Sequence, residues 1–457
     1  MPLHVVILAA GQGKRMRSAL PKVLHPIAGR PLLAHVIDAA RKLKPERIHV
    51  VYGHGGAQVR AAFEGAPVEW VEQARRLGTG HALMQALPKV PRAATVLVLN
   101  GDVPMVRIET LRRLVRAARK GIAIATSDLS DPAGYGRVIR DPKGRVQRIV
   151  EQKDAKRAEF AVREWYAGFL AGNASRLAGW IAKVANRNAQ KEYYLTDAIG
   201  IAAASGAPVS TVKATDACEV AGVNSREELA ILERAYQNAQ AKRLLAAGVA
   251  LADLWRMDVR GELSCGRDVA IDVNCVFEGR VQLGDRVKIG PNCVLRNVTL
   301  AADTEVLAFC LLEDAEVGAS CRIGPYARLR PGARLAEGVH IGNFVEVKAS
   351  RIGAGSKANH LAYLGDAEVG SGVNIGAGTI TCNYDGAEKH RTVIEDDCFI
   401  GSNATLVAPV RIAKGSYIGA GSTISKDAPA GQLTVARARQ VSLPRWAAPR
   451  KPKPRAK

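Results

Sequence analysis

Aromatic residues are scarce in this chain, at 5% of 457 positions. A core built on aromatic rings is therefore excluded, and aliphatic side chains must fill the interior. No apolar run approaches the ~20 residues that a membrane helix needs. The first such run, "HVVILAA", is too short for a secretory leader, and no small-residue cleavage site follows it. The eight cysteines form no Cys-x-x-Cys pair, which removes the usual zinc and dithiol signatures. Seven of them lie after residue 260, where they are expected as small apolar fillers. Scattered single thiols point to the reducing cytoplasm. From Ala428 to Lys457 there is no acidic residue, and the segment closing on "APRKPKPRAK" is expected to be a disordered basic tail over 437–457.

What is abundant is positive charge, a formal +22 with a pI near 9.9. Such a balance fits anionic substrates such as phosphates, or merely a solvated basic surface with weak affinity for nucleic acid. No nucleic-acid recognition motif accompanies it, so charge alone identifies no such partner.

Up to residue 225, buried-strand patterns ("HVVILAA", "RIHVVYG", "ATVLVLN") alternate with helical ones ("PLLAHVIDAARKL", "IETLRRLVRAARK"). That alternation predicts an α/β domain, a mainly parallel sheet with helices on both faces. Ligands in such sheets sit at the carboxyl ends of strands. Ser225 followed by Glu228 is a capping box, and Gly248 is a stop signal. The helix between them, over 226–248, would be ~33 Å long and would link two domains.

From 249 to 436 the beat changes. An aliphatic residue recurs every six positions over Val317, Ile323, Leu329, Leu335, Ile341 and Val347, and again over Ile400, Leu406, Ile412, Ile418 and Ile424. Period six is neither helix nor simple strand alternation. It marks a hexapeptide-repeat parallel β-helix, a triangular prism of ~18-residue coils stacked at ~4.8 Å. A sandwich of short strands would not explain so strict a beat.

"LAAGQGKRM" follows the first strand. No Gly-Lys-[Ser/Thr] follows, so it is no Walker loop, and Met16 stands where a dinucleotide fingerprint needs its third glycine. On spacing alone an ordinary strand-to-helix turn accounts for it. Lys14, Arg15 and Lys22 add three cations beside backbone N–H groups, a place for a polyphosphate. Asp102 in "NGDVP" ends a strand across from them and suits Mg²⁺, although Asn-Gly-Asp is also a tight turn.

In the second half Arg330 and Lys348 are 18 residues apart, one coil. Stacked like charges repel unless they splay into water or share an anion. Ser402 and Ala420 share the same spacing. "SKANHLAYLGD", residues 356–366, breaks the beat and carries His360.

The segments "LAAGQGKRM", "LPKVLH", "RLGTGHA", "GDVP", "GYGRV", "EQKDA", "EYYLTD" and "EVAGVN" occur in an order that resembles the bifunctional bacterial enzymes of UDP-N-acetylglucosamine synthesis. The resemblance runs from about residue 3 to residue 440. It implies a Rossmann-like nucleotidyltransferase domain over 1–225, the helical arm, and a left-handed β-helix acetyltransferase domain. It implies two reactions, acetylation of glucosamine-1-phosphate by acetyl-CoA and uridylyl transfer from UTP to N-acetylglucosamine-1-phosphate. It also implies a homotrimer in cell-wall and lipopolysaccharide precursor synthesis.

The residue roles below come from the resemblance. Leu8, Ala9 and Gly11 hold the nucleotide; Gln73, Gly78 and Thr79 read the uracil; Arg15 and Lys22 meet the phosphates. Asp102 and Asn224 bind Mg²⁺, while Gly136 and Glu151 face the sugar. Arg330 and Lys348 hold glucosamine-1-phosphate, with Tyr363 and Asn374 beside the sugar. Ala377, Asn383, Tyr384, Ser402, Ala420 and Arg437 contact acetyl-CoA. His360 is the general base, a role that a histidine's ordinary pKa of ~6.5 allows, and Glu346 is a candidate to orient it. Two positions depart from the pattern. Asn100 replaces a tyrosine, and Tyr166 in "YAG" replaces an amide of a sugar-contacting Asn-Thr-Gly, so altered sugar selectivity is expected.

Overall fold

The computed structural model describes residues 2–129 and 132–447. They divide into two compact units, one covering 1–243 with 259–261, the other 244–258 with 262–457.

The first unit is an α/β sheet. Strands Leu3–Ala9, Arg47–Tyr52 and Thr95–Asn100 form where the apolar runs lie, with Leu3–Ala9 parallel to both of the others. The chain runs from Leu3–Ala9 out to Arg47–Tyr52 and Glu69–Glu72 on one side, then returns to Thr95–Asn100 on the other. That reversal is a topological switch point, where α/β sheets leave a crevice beyond the strand ends. One long strand was not expected: Glu164–Asn173 runs antiparallel between Thr95–Asn100 and Ile122–Asp128. Side-chain alternation divides the core between the two faces. Val5, Ile7, Leu97 and Leu99 pack with Leu33, Val36 and Leu111 on one face. Val6, Val96 and Val98 pack with Leu83, Leu177 and Ile199 on the other.

Helix Arg226–Ala246 starts where the capping signal places it. The Glu228 amide donates to Ser225 Oγ at 3.1 Å. The Glu228 carboxylate accepts from the Asn224 amide at 2.6 Å, one residue before the expected partner. Leu232 joins a small core with Met16, Ile27 and Val223. Buried Gln237 exchanges two hydrogen bonds with the Val259 backbone, at 2.8 and 3.0 Å.

At the far end of the sheet, two buried histidines face each other. His4 Nδ1 and His49 Nε2 are 3.1 Å apart, and His49 Nδ1 lies 3.2 Å from Glu69 Oε2. Burial holds His49 below the ordinary histidine range, with Glu69 opposing. A lowered pKa means that the unfolded chain binds a proton the native state refuses. The stability from neutral His49 is therefore complete above ~6.5 and is lost as pH falls below it. The melting temperature of this unit is expected to fall between pH 7 and pH 5, and to fall less in His49→Gln. Equal slopes in the two proteins would contradict this.

The second unit is a left-handed parallel β-helix. Among the described residues, eleven short strands stack in one sheet and seventeen in the other. Every aliphatic beat residue faces the axis: Ile323, Leu329 and Val347 are fully buried, as are Ile400, Leu406 and Ile412. The coil length is not constant. Leu329 pairs with Val347, 18 residues on, but Ile341 pairs with Ala358, 17 on. Small residues at the corners carry a second pattern. Thr304 and Ser356 donate to the carbonyls of Gly318 and Gly370 in the next coil, at 2.8 and 2.7 Å. Cys293 and Cys321 make the equivalent S–H···O contacts, at 3.1 and 3.0 Å. The corner cysteines are therefore weak donors in place of serine, and more than apolar fillers. Residues 437–447 are exposed and carry no helix or strand. The rest of the expected tail, 448–457, lies outside the described residues.

Among the described residues, no helix is long and apolar enough to cross a membrane.

Candidate functional sites

A cleft of about 550 Å³ opens at the switch point of the first unit. Of the residues assigned from sequence, Leu8, Ala9, Gly11, Lys22, Gln73, Gly78, Thr79, Asn100 and Asp102 line it. Its centre is a convergence of three segments. Lys22 Nζ donates to Asp102 Oδ2 in a short ion pair and to Asn224 Oδ1 at 3.2 Å. Backbone bonds fix this arrangement, Gly101 N–H to Leu8 O at 2.9 Å and Val223 N–H to Asp102 O at 3.0 Å. Gly13 has φ +63, and a side chain there would strike Lys22 Cβ at 2.7 Å. Glycine is thus needed for the loop to fold over Lys22.

The loop from Gln73 to Thr79 is equally constrained. Gln73 is buried and donates to Gly78 O at 3.0 Å, while Thr79 Oγ1 accepts from the Leu195 amide at 3.1 Å.

Arg15 does not line the cleft. It is exposed on the short turn Lys14–Met16, and the cations that line the cleft with Lys22 are Lys14 and Arg76. Sequence reasoning missed Arg76 and Glu192. Arg76 was signalled only as the first residue of "RLGTGHA", two positions before Gly78.

Gly136, Glu151 and Tyr166 form a separate cluster. The Tyr166 amide donates to Gly136 O at 2.8 Å, and Thr196 Oγ1 donates to Glu151 Oε1 at 2.9 Å. Burial pushes the Glu151 carboxyl above the usual range; Thr196 opposes, and Asp197 adds to the rise. Tyr166 is buried in the core, with no hydrogen-bond partner for its hydroxyl. Burial, then Glu151, pushes that hydroxyl upward. Tyr166 therefore does not present a group to the cleft, whereas Asn100 does. The Asn100 carboxamide lies over Gly168, where any side chain would overlap its nitrogen.

On the prism, Arg330 and Lys348 sit in paired positions of adjacent coils, with Arg330 N–H bonded to Val347 O at 2.8 Å. Lys348 pairs in turn with Gly365, whose missing side chain leaves room for the Tyr363 ring and hydroxyl. Two cations and a phenol thus follow one another along one face. Glu346 does not orient His360. Its carboxylate accepts from Arg330 Nη1 at 2.8 Å and raises the Arg330 pKa further. The partner of His360 is Asn343, with His360 Nδ1 2.7 Å from Asn343 Oδ1. Asn374 lies one coil above Lys357 of the His360 strand.

A second strip runs along a corner. Ala377, Ser402 and Ala420 occupy successive coils, linked by Asn403 N–H to Ala377 O at 2.7 Å and Gly421 N–H to Ser402 O at 2.8 Å. Arg437 Nη1 closes the strip on Ala420 O at 2.7 Å. Asn383 and Tyr384 lie on a loop that leaves the prism between Cys382 and Thr392. Asn383 donates to Asp366, and Tyr384 is 60% exposed with its hydroxyl on Gly386 O at 2.6 Å.

Three family models match the chain: a MobA-like NTP transferase domain over residues 5–249, a GMPPB C-terminal domain over 259–359, and bacterial transferase hexapeptide repeats over 391–426. The chain is 59% identical over 452 residues to a protein named bifunctional protein GlmU from Aromatoleum aromaticum, covering 99% of each chain. It is 57% identical to the protein of that name from Chromobacterium violaceum, covering 98% of this chain and 99% of that one. It is 55% identical to the one from Nitrosospira multiformis, covering 99% of each.

Proposed function

The chain belongs to the family of the bifunctional protein GlmU, and from that premise we propose which of its residues carry each of the two activities. It is a transferase with two reactions, glucosamine-1-phosphate N-acetylation and N-acetylglucosamine-1-phosphate uridylylation. The observation that carries the site assignment is the convergence of Lys22, Asp102 and Asn224 at the switch-point cleft.

In the first unit, a phosphate oxygen of N-acetylglucosamine-1-phosphate attacks the α-phosphorus of UTP, and pyrophosphate leaves. Such a step needs positioning and charge neutralisation, and no covalent intermediate. Lys14, Lys22 and Arg76 supply positive charge around the triphosphate. Gln73, Gly78 and Thr79 fix the base. Asp102 and Asn224 turn their oxygens toward one ammonium, so they also share a point where Mg²⁺ fits with water and phosphate oxygens as its other ligands. Mg²⁺ held by Asp102 and Asn224 would supply charge neutralisation at the phosphates. Lys22 exchanges its bond to Asp102 for one to phosphate. Asn100 presents its carboxamide to the sugar side.

In the second unit, Arg330, Lys348 and Tyr363 hold the phosphate of glucosamine-1-phosphate. Acetyl-CoA lies along Ala377, Ser402 and Ala420, with Arg437 near its phosphates. The sugar amine attacks the thioester carbonyl, His360 takes the proton from nitrogen, and the thiol of coenzyme A leaves. Backbone N–H groups of a neighbouring coil stabilise the oxyanion.

The assembly is a homotrimer of prisms. Phe309, Tyr326 and Phe344 stack outward in successive coils at 4.9 and 5.3 Å between rings. With Leu361 they form an exposed apolar ridge that a second copy would cover. The compartment is cytoplasmic, in keeping with free corner thiols and with UTP and acetyl-CoA as co-substrates. The two activities are tested separately on the purified chain, by release of coenzyme A and of pyrophosphate. Only one signal would support the narrower reading of a nucleotidyltransferase whose prism serves for assembly.

A further inference from the structure

We propose that Asn343 is the residue that positions His360, fixing both its rotamer and its tautomer for acetyl transfer. This rests on the reading of His360 as the general base. Strands His340–Asn343 and Lys357–His360 are neighbours in one sheet, in register Asn343↔His360. Each strand ends in a left-handed residue, Phe344 at φ 57 and Leu361 at φ 48. Both coils thus turn the same corner directly after the paired residues. The Leu361 amide bonds Asn343 O at 3.0 Å and locks that corner. The coils are also unusually close here. A side chain at Gly342 would overlap the Asn359 carbonyl, so the absent side chain lets Asn343 reach its neighbour.

The contact is 2.7 Å from Asn343 Oδ1 to His360 Nδ1. A carbonyl oxygen only accepts, so Nδ1 carries the proton. The lone pair is then on Nε2, the nitrogen farther from the backbone, which must receive a proton from the attacking amine. A neutral amide selects the tautomer without the added basicity that a carboxylate would confer. Two other ionisable side chains line the cavity of about 290 Å³ beside His360, Arg322 and His340. Both are cationic or neutral, and the strand of the coil above, Asn374–Ile375, carries no charged residue. Among these neighbours no carboxylate performs the orienting role. Asn343 is a positioning residue; the proton is moved by His360.

The test compares Asn343→Ala, Asn343→Asp and His360→Ala in the full chain, with uridylyl transfer as a control for folding of each variant. Asn343→Ala is expected to lower kcat for acetyl transfer about 10- to 100-fold, with KM for glucosamine-1-phosphate unchanged. Imidazole ¹⁵N shifts should show the Nδ1–H tautomer in the parent and a mixture in Asn343→Ala. Asn343→Asp should recover most of kcat and move the acidic limb of the pH profile to higher pH, since a carboxylate stabilises the imidazolium. A parent-like kcat in Asn343→Ala, or an Nε2–H tautomer in the parent, overturns the inference. Undiminished acetylation by His360→Ala would instead remove the general-base reading on which it rests, and the inference with it.

Discussion

His360→Ala is expected to lose acetyl transfer by about 10²- to 10⁴-fold while uridylyl transfer stays at the parent rate. The size follows from the chemistry. The glucosamine amine must shed a proton as it attacks, and His360, three residues before Tyr363 in the chain, is the side chain assigned to take it. The selectivity follows from the fold. His360 is exposed on the prism, with its polar contact at Asn343, so truncation empties no core and unpairs no buried group. The two reactions use residues of different compact units. Equal losses in both reactions would indicate damage to the whole chain and would count against the assignment.

Replacing Asp102 should produce the mirror image. Asp102→Ala is expected to lower uridylyl transfer at least 10²- to 10³-fold, with acetyl transfer unaffected. Asp102 and Lys22 are 16% and 14% exposed, so deleting the carboxylate strands a half-screened ammonium and carries a stability cost. Asp102→Asn separates the two effects, because it keeps the volume and a hydrogen bond to Lys22. Its uridylyl transfer should need a higher Mg²⁺ concentration for half-maximal rate. Parent-like Mg²⁺ dependence in Asp102→Asn would show that Asp102 is not a metal ligand.

The strands of the switch point were legible because they are continuous aliphatic runs, which burial on both faces of a parallel sheet demands. Strand Glu164–Asn173 was not. Its sequence, "EWYAGFLAGN", holds two glycines and a register shift between Tyr166 and Leu170. The same strand explains why Tyr166 was misplaced. The resemblance set Tyr166 in place of a sugar-contacting amide, but Tyr166 is packed with Val98 and Leu170 in the core. Arg15 was assigned by the resemblance, whereas the tight turn Lys14–Met16 leaves Arg15 exposed and the cleft is lined by Lys14 and Arg76.

The prism was legible because its axis tolerates only aliphatic side chains at every sixth position. The pairing of Arg330 with Lys348 followed directly, since that coil keeps the 18-residue length. Asn343 was hidden for the same reason. A strict beat of 18 sets Gly342 beneath His360, whereas the real coil is 17 residues long and sets Asn343 there. One residue of shortening moves the amide into contact and leaves Glu346 to Arg330.

The central claim is that one chain carries both reactions, with acetylation at the prism feeding uridylylation at the switch-point cleft. It is tested most directly by supplying the purified chain with glucosamine-1-phosphate, acetyl-CoA, UTP and Mg²⁺ and measuring UDP-N-acetylglucosamine. The parent should form it. His360→Ala should form none from this mixture, yet should form it at the parent rate once N-acetylglucosamine-1-phosphate is supplied. No UDP-N-acetylglucosamine from the parent, or undiminished product from His360→Ala without the bypass, would contradict the account.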